Sequence, residues 1–188
     1  TGKDIGGLQL IIATDPTTGT VGGINRANFS FWRSQQTSGA KTSTAYDNLV
    51  STMRTVYNLC SSGGVKDMPT TAICGRATFE GYEGRLTTNE RYIYDTAKQT
   101  GRKGDAGFLN DALRFKQISI IYDEAAVADA VYFVNNKYLK VAYLAGGWMK
   151  MYAAVDPANQ LANVHKLATF CTMGTSNSRR LGVVTAIT

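Results

Sequence analysis

A single histidine, His165, in 188 residues closes most common routes to catalysis. Any Ser-His-Asp or Cys-His mechanism has to pass through it. No Gly-x-Ser-x-Gly elbow and no His-Glu-x-x-His pair is present. The glycine pairs Gly6-Gly7, Gly22-Gly23, Gly63-Gly64 and Gly146-Gly147 are not followed by Lys-Ser/Thr at phosphate-loop spacing. Cysteine is scarce too: Cys60, Cys74 and Cys171 form an odd set with no Cys-x-x-Cys spacing. They offer no zinc site, and their apolar surroundings suit buried, reduced thiols. Charged residues make up only 18% of the chain. Asp123-Glu124 and the Glu80/Glu83 pair read as solvated carboxylates, Asp105 and Asp111 read as helix caps, and none has calcium-loop spacing. No run of about 18 apolar residues exists to span a membrane, and Thr1-Gly2-Lys3-Asp4 does not open a signal peptide. The first residue is not Met, which suggests a fragment or a processed product. No enzyme activity and no cofactor are expected.

What is present points to packing and contact. Apolar residues make up 44% of the chain, with ten Tyr, five Met and two Trp, types favoured at protein interfaces. Tyr46, Leu49, Val50, Met53, Val56, Tyr57 and Cys60 recur at helical spacing and predict a helix from about Thr44 to Leu59. Thr44 and Asp47 are set for capping, and Gly63-Gly64 ends the element. Thr70–Cys74 after Pro69 reads as a strand, Arg76–Glu83 as a short helix burying Phe79 and Tyr82, and Ile118–Asp123 as a buried strand. The segment from Phe108 to Phe115 is weakly amphipathic. Leu8–Ile12 is a short apolar run stopped by a loop at Asp15–Gly19, and Gly22-Gly23 predicts a sharp turn. Two hairpins are expected. One joins Ala130–Val134 to Tyr138–Leu144 across Asn135-Asn136-Lys137. The other closes Val164–Met173 on Arg179–Ile187. Phe29, Phe31 and Trp32 are costly to expose and require burial against the body or a neighbour. The net charge of +6 is scattered, with small clusters only at Arg102-Lys103 and Arg179-Arg180, and shows no nucleic-acid-binding stripe.

Two passages frame the chain. Gly19-Thr20-Val21-Gly22-Gly23-Ile24-Asn25-Arg26-Ala27 leads into Phe29, Phe31, Trp32 and Arg33. Val131-Tyr132-Phe133-Val134-Asn135-Asn136-Lys137-Tyr138-Leu139 precedes a close on Arg179-Arg180-Leu181-Gly182-Val183-Val184. In pattern and order they resemble the C-terminal portion of tailed-bacteriophage major capsid proteins with the Hong Kong 97-type fold. Met68-Pro69-Thr70-Thr71-Ala72-Ile73 fills the slot of that family's strand before an aromatic helix, with Thr70 where an acidic residue is usual. The resemblance covers nearly all of the chain. It implies an α+β fold with a central mixed β-sheet, flanking helices and a C-terminal β-hairpin, like the axial domain and closing peripheral-domain strands of such a subunit.

On that resemblance, residues 1–42 form an opening segment with a Gly-rich loop and aromatic cluster. Residues 43–145 form an axial-type domain and 146–188 the closing strands. The family's N-terminal arm, extended loop and spine helix would lie before Thr1. The implied role is a self-assembling shell subunit of the virion capsid, made in the host cytoplasm and arranged as pentamers and hexamers around DNA. Contact with that DNA would be weak and non-specific, with no membrane partner. Trp32, Arg33, Arg91, Arg102 and Trp148 are the candidate subunit contacts. The polar stretch Arg85–Gly107 is the candidate loop toward the capsomer axis. An encapsulin-type compartment shares the fold and stays open as an alternative, as does a small α+β hydrolase or ligand-binding domain built around His165.

Overall fold

The computed structural model describes residues 6–39, 48–61, 64, 67–87, 113–116, 118–155, 158–159 and 163–185. The Leu8–Ile12 run folds as one helical turn, α1 (Leu8–Ile11). The Gly22-Gly23 turn is as sharp as expected. Strands β1 (Thr20–Val21) and β2 (Ile24–Asn25) pair antiparallel across it, with φ +61° at Gly22 and +80° at Gly23. Positive φ at both central residues suits a two-residue hairpin to the twist of its strands and favours glycine at each. After a 3₁₀ turn at Ser30–Trp32 comes β3 (Gln35–Ser38).

Helix α2 (Leu49–Cys60) is the expected amphipathic helix; Thr44 and Asp47 lie outside the described residues. Strand β4 (Thr71–Cys74) follows, then α3 (Arg76–Thr87), one turn longer than expected, with Tyr82 buried and Phe79 half-buried. The described end of the Phe108–Phe115 segment is a strand, β5 (Leu113–Phe115), paired with β6 (Ile118–Tyr122). Only the first half of β6 is buried, leaving Ile121 and Tyr122 half exposed. Then come β7 (Val131–Val134), β8 (Leu139–Tyr143), β9 (Lys150–Met151), β10 (Leu167–Ala168), β11 (Cys171–Thr175) and β12 (Gly182–Thr185).

Six strands form one mixed sheet in the order β3-β12-β7-β4-β6-β5. Alternate side chains of β7 point to opposite faces, yet all four are buried because both faces are covered. Val131 and Phe133 pack under α2 and α3 with Met53, Val56 and Tyr57. Tyr132 and Val134 pack on the other face with Ile11, Ile12 and Val183. Each such apolar side chain contributes about 1.5–3 kcal/mol on burial. Gly182 lets β12 run beneath the helix: a Cβ there would lie 2.6 Å from Val56 Cγ1 and 2.7 Å from Cys60 Sγ.

Neither expected hairpin forms. Strand β7 pairs with β4 and β12, while β8 pairs with β11. The Asn135–Lys137 passage is therefore a crossing between sheets, and none of its residues has positive φ. Buried Asn135 explains why. Its side-chain amide donates to the carbonyls of Asp67 (3.1 Å) and Met68 (2.8 Å). The local turn, closed by Tyr138 N–H to Asn135 O at 3.0 Å, is thus tied to a distant segment and does not lead back along β7. The C-terminal hairpin fails likewise, since β12 inserts between β3 and β7, parallel to the former. A buried slot between two open sheet edges outweighed local pairing of Val164–Met173 with Arg179–Ile187.

Candidate functional site

The longest hairpin was unforeseen. Residues 139–155 run out from the body and 164–175 return, first as β8 with β11, then as β9 with β10, then through a Val155–Val164 bridge. The outgoing strand bulges at residues 144–149, closed by Leu144 N–H to Phe170 O (3.0 Å) and Phe170 N–H to Gly147 O (2.9 Å). At the usual strand rise this ribbon reaches up to roughly 40 Å. Little of it is covered: Val141, Tyr143, Leu144, Trp148, Met151 and Leu167 are all more than half exposed, Met151 reaching 70%. The rings of Trp148 and Tyr143 lean on each other, tilted by 56° with centres 5.7 Å apart. Apolar exposure this dense is uncommon on a monomer and marks an interaction surface.

The root of the ribbon is polar and tightly bonded. Tyr138 O accepts from Ser176 N–H at 2.9 Å, so the outgoing and returning passes meet there. The Asp67 carboxylate accepts a short hydrogen bond from the Tyr138 hydroxyl. It also lies 3.4 Å from Lys137 Nζ and 3.5 Å from Arg180 Nη2. The Tyr138 bond, helped by Lys137 and Arg180, holds the Asp67 carboxyl below its ordinary value. Arg180 also donates to Cys60 O at 3.1 Å, satisfying an end carbonyl of α2.

The aromatic loop near the front is built differently. Trp32 is half-buried and donates its indole N–H to Val21 O at 3.0 Å. Arg33 donates to the carbonyls of Arg26 (2.8 Å) and Ala27 (2.9 Å). Both side chains thus brace the β1–β2 hairpin against the following turn. Arg26 is fully buried and donates to Leu10 O at 3.1 Å and, more closely, to Ile11 O, capping α1. The surface offered here belongs to Phe29 and Phe31, 46% and 59% exposed, so the chain does not itself bury these rings.

Of the five contact candidates, Trp148 stands on the ribbon, and Trp32 and Arg33 sit in the front loop. Arg91, Arg102 and nearly all of Arg85–Gly107 lie outside the described residues. His165 is exposed beside Lys166 on the returning strand, and no carboxylate is described in the ribbon. Among the described residues no group of His, Cys, Asp or Glu could hold a metal ion, and no helix is long and apolar enough to cross a membrane. The three cysteines are free thiols, Cys171 part-exposed; burial pushes Cys60 and Cys74 up to about 12. Sequence reasoning missed Val141, Tyr143, Leu144, Leu167 and Phe170 as exposed surface. Their strand-like composition is equally that of a core, and only the pairing partner distinguishes the two.

No family model and no curated protein matches the chain. Among solved structures it is similar to a chain of the capsid asymmetric unit of cyanophage A-1(L), with a TM-score of 0.65 and 16% identity. The match covers 97% of this chain and 60% of that one. The chain therefore has a phage capsid-like α+β fold and spans three fifths of the length of the capsid protein it matches.

Proposed function

We propose that the chain is a structural subunit of an icosahedral bacteriophage shell with the Hong Kong 97-type fold, joining pentamers and hexamers that enclose DNA. Residues 1–42, 43–145 and 146–188 would be the opening segment, the axial-type domain and the closing strands. The observation that carries this reading is the bare ribbon on a capsid-like fold. A strand pair exposing Tyr143, Leu144, Met149, Met151 and Leu167 requires further polypeptide against it. A shell supplies that through contacts of one surface with a different surface on the neighbour, closing into rings. The exposed Phe29–Phe31 pair, with rings 5.7 Å apart, fits the same requirement. Catalysis has no support beside it, since His165 has no described carboxylate partner.

Arg85–Gly107 is proposed as the segment toward the ring centre, with Arg91 and Arg102 contacting neighbours. Sedimentation and negative-stain microscopy of the full-length gene product test both statements. Shells or rings are expected from the native protein. The pair Arg91→Glu and Arg102→Glu should shift material toward free subunits, more so in low salt. A native protein that stays monomeric at every concentration would sink the shell reading. Normal shells from the double variant would sink only the axis assignment.

A further inference from the structure

The charge of the chain is unevenly placed. Residues 130–188 hold six of its twenty basic side chains but only one of its fourteen acidic ones, Asp156, so five of the six net positive charges lie there. On the ribbon, Lys140, Lys150 and Lys166 are all exposed. Two strands wide, the ribbon carries these charges within several ångströms of its apolar side chains on either face.

The opposite end of the sheet has the converse surface. The turn joining β6 to β7 presents Asp123 and Glu124, both exposed, and Asp129, half-buried. Beside them Ile121, Tyr122 and Val127 are 50%, 51% and 36% exposed. Tyr122 leans on Phe79 of α3, ring centres 5.3 Å apart. Arg76 and Glu80 on the same helix pair at 2.8 Å and cancel each other's charge. The corner is rigidly built. Thr78 Oγ1 donates to Ala128 O at 2.8 Å, and Ala125 N–H donates to Asp123 Oδ1 at 2.9 Å. A Cβ on Gly75 would come within 2.9 Å of Ala128 Cα, so helix and turn are in close contact.

The two surfaces flank opposite ends of β7. Strand β7 begins at the acidic corner, where Val131 pairs with Cys74, and ends at the ribbon root, where Val134 pairs with Thr71. We infer that the ribbon of one copy seats on the acidic corner of the next, its lysines set against the carboxylates there and its exposed apolar side chains against Ile121, Tyr122 and Val127. The contact rests on the assembly reading above and makes it directional: each copy offers one basic ribbon and one acidic corner, so copies add head to tail. Nucleic acid is the weaker occupant. Tyr143, Trp148 and Phe170 give bases rings to stack on, but the ribbon has no arginine, and the exposed aliphatic side chains Val141, Leu144 and Leu167 are better matched by an apolar protein surface.

The test is a charge exchange in the full-length product. One variant carries Lys140→Glu, Lys150→Glu and Lys166→Glu. The other carries Asp123→Asn, Glu124→Lys and Asp129→Lys. Circular dichroism confirms that each is folded. Each alone should self-associate at least about tenfold more weakly than the native protein in sedimentation, because like charges then face each other. Mixed one to one, they should recover association as alternating copies, and both effects should fade in high salt. Native-like association of either variant alone, or no recovery on mixing, would overturn the contact and leave the shell reading standing. Absence of self-association in the native protein would overturn both. Loss of binding to a single-stranded oligonucleotide by the lysine variant, with unchanged self-association, would place nucleic acid on the ribbon instead and overturn the contact.

Discussion

The six-stranded body and the ribbon are made from similar residues and treat them in opposite ways. Strand β7 is Val-Tyr-Phe-Val, and every side chain is buried; β8 is Leu-Lys-Val-Ala-Tyr, and four of its five residues are exposed. The difference lies in neighbours. Strand β7 has a paired strand on each side and a packed layer on each face, whereas β8 has only β11 beside it. Burial is thus set by topology, and strand propensity describes a fit to whatever surface is supplied. The body holds its own shape, while the ribbon keeps its apolar area available to others.

The largest expected break in this comparison is a matched pair of truncations. Phe133→Ala, at a site with no exposure, should cost about 3–5 kcal/mol in urea unfolding of the chain. Tyr143→Ala, at 63% exposure, should stay within about 0.5 kcal/mol. Similar costs for the two would mean that the ribbon is already covered in the free chain.

A smaller effect should appear at the junction. Asp67 is held below its ordinary value of 3.8, so its contribution is fully present above that value and is lost as pH falls through the lower, folded value. Thermal midpoints of the native chain should therefore drop below about pH 4. Asp67→Asn should lower the midpoint at neutral pH and flatten that part of the profile. An unchanged slope would show that other carboxylates govern it.

The smallest effect concerns thiols. Cys171, part-exposed on the ribbon, should react with a thiol reagent at least about tenfold faster than Cys60 and Cys74, whose thiolates are suppressed by burial. Equal rates would indicate that the body opens as readily as the ribbon.

The parts of the fold legible in the sequence were those set by local chemistry. The stripe from Leu49 to Cys60 fixed α2, Pro69 and the β-branched run fixed β4, and Gly22-Gly23 fixed the first turn. Partnering between distant segments was not legible. Asn135-Asn136-Lys137 has a turn composition, but the buried amide of Asn135 answers carbonyls 67 and 68 positions away. Val183 and Val184 look like one arm of a hairpin, yet their partners are Gln36 and Thr37 on one side and Tyr132 and Val131 on the other. At the candidate site, Trp148 was legible as an aromatic of the kind favoured at interfaces. The opposing strand from Val164 to Phe170 was not, because nothing local says that it lacks a cover. Trp32 and Arg33 stood out as surface residues for the same reason that they serve as braces: an indole N–H and a guanidinium both need acceptors.

The place of β12 has a consequence for how the subunit is made. Strand β3 is translated early, but its only sheet partner among the described residues is β12, some 147 positions later by the Gln35–Gly182 register. Until residues 182–185 leave the ribosome, β3 has no strand to lie against and the Val131–Val134 edge stands open. Such distant pairing is slow to nucleate. A growing chain can therefore finish the ribbon before it finishes the body that carries it. Premature termination in the last few codons of this stretch would leave a product with its sticky surface formed and its sheet unclosed, a species prone to misassembly.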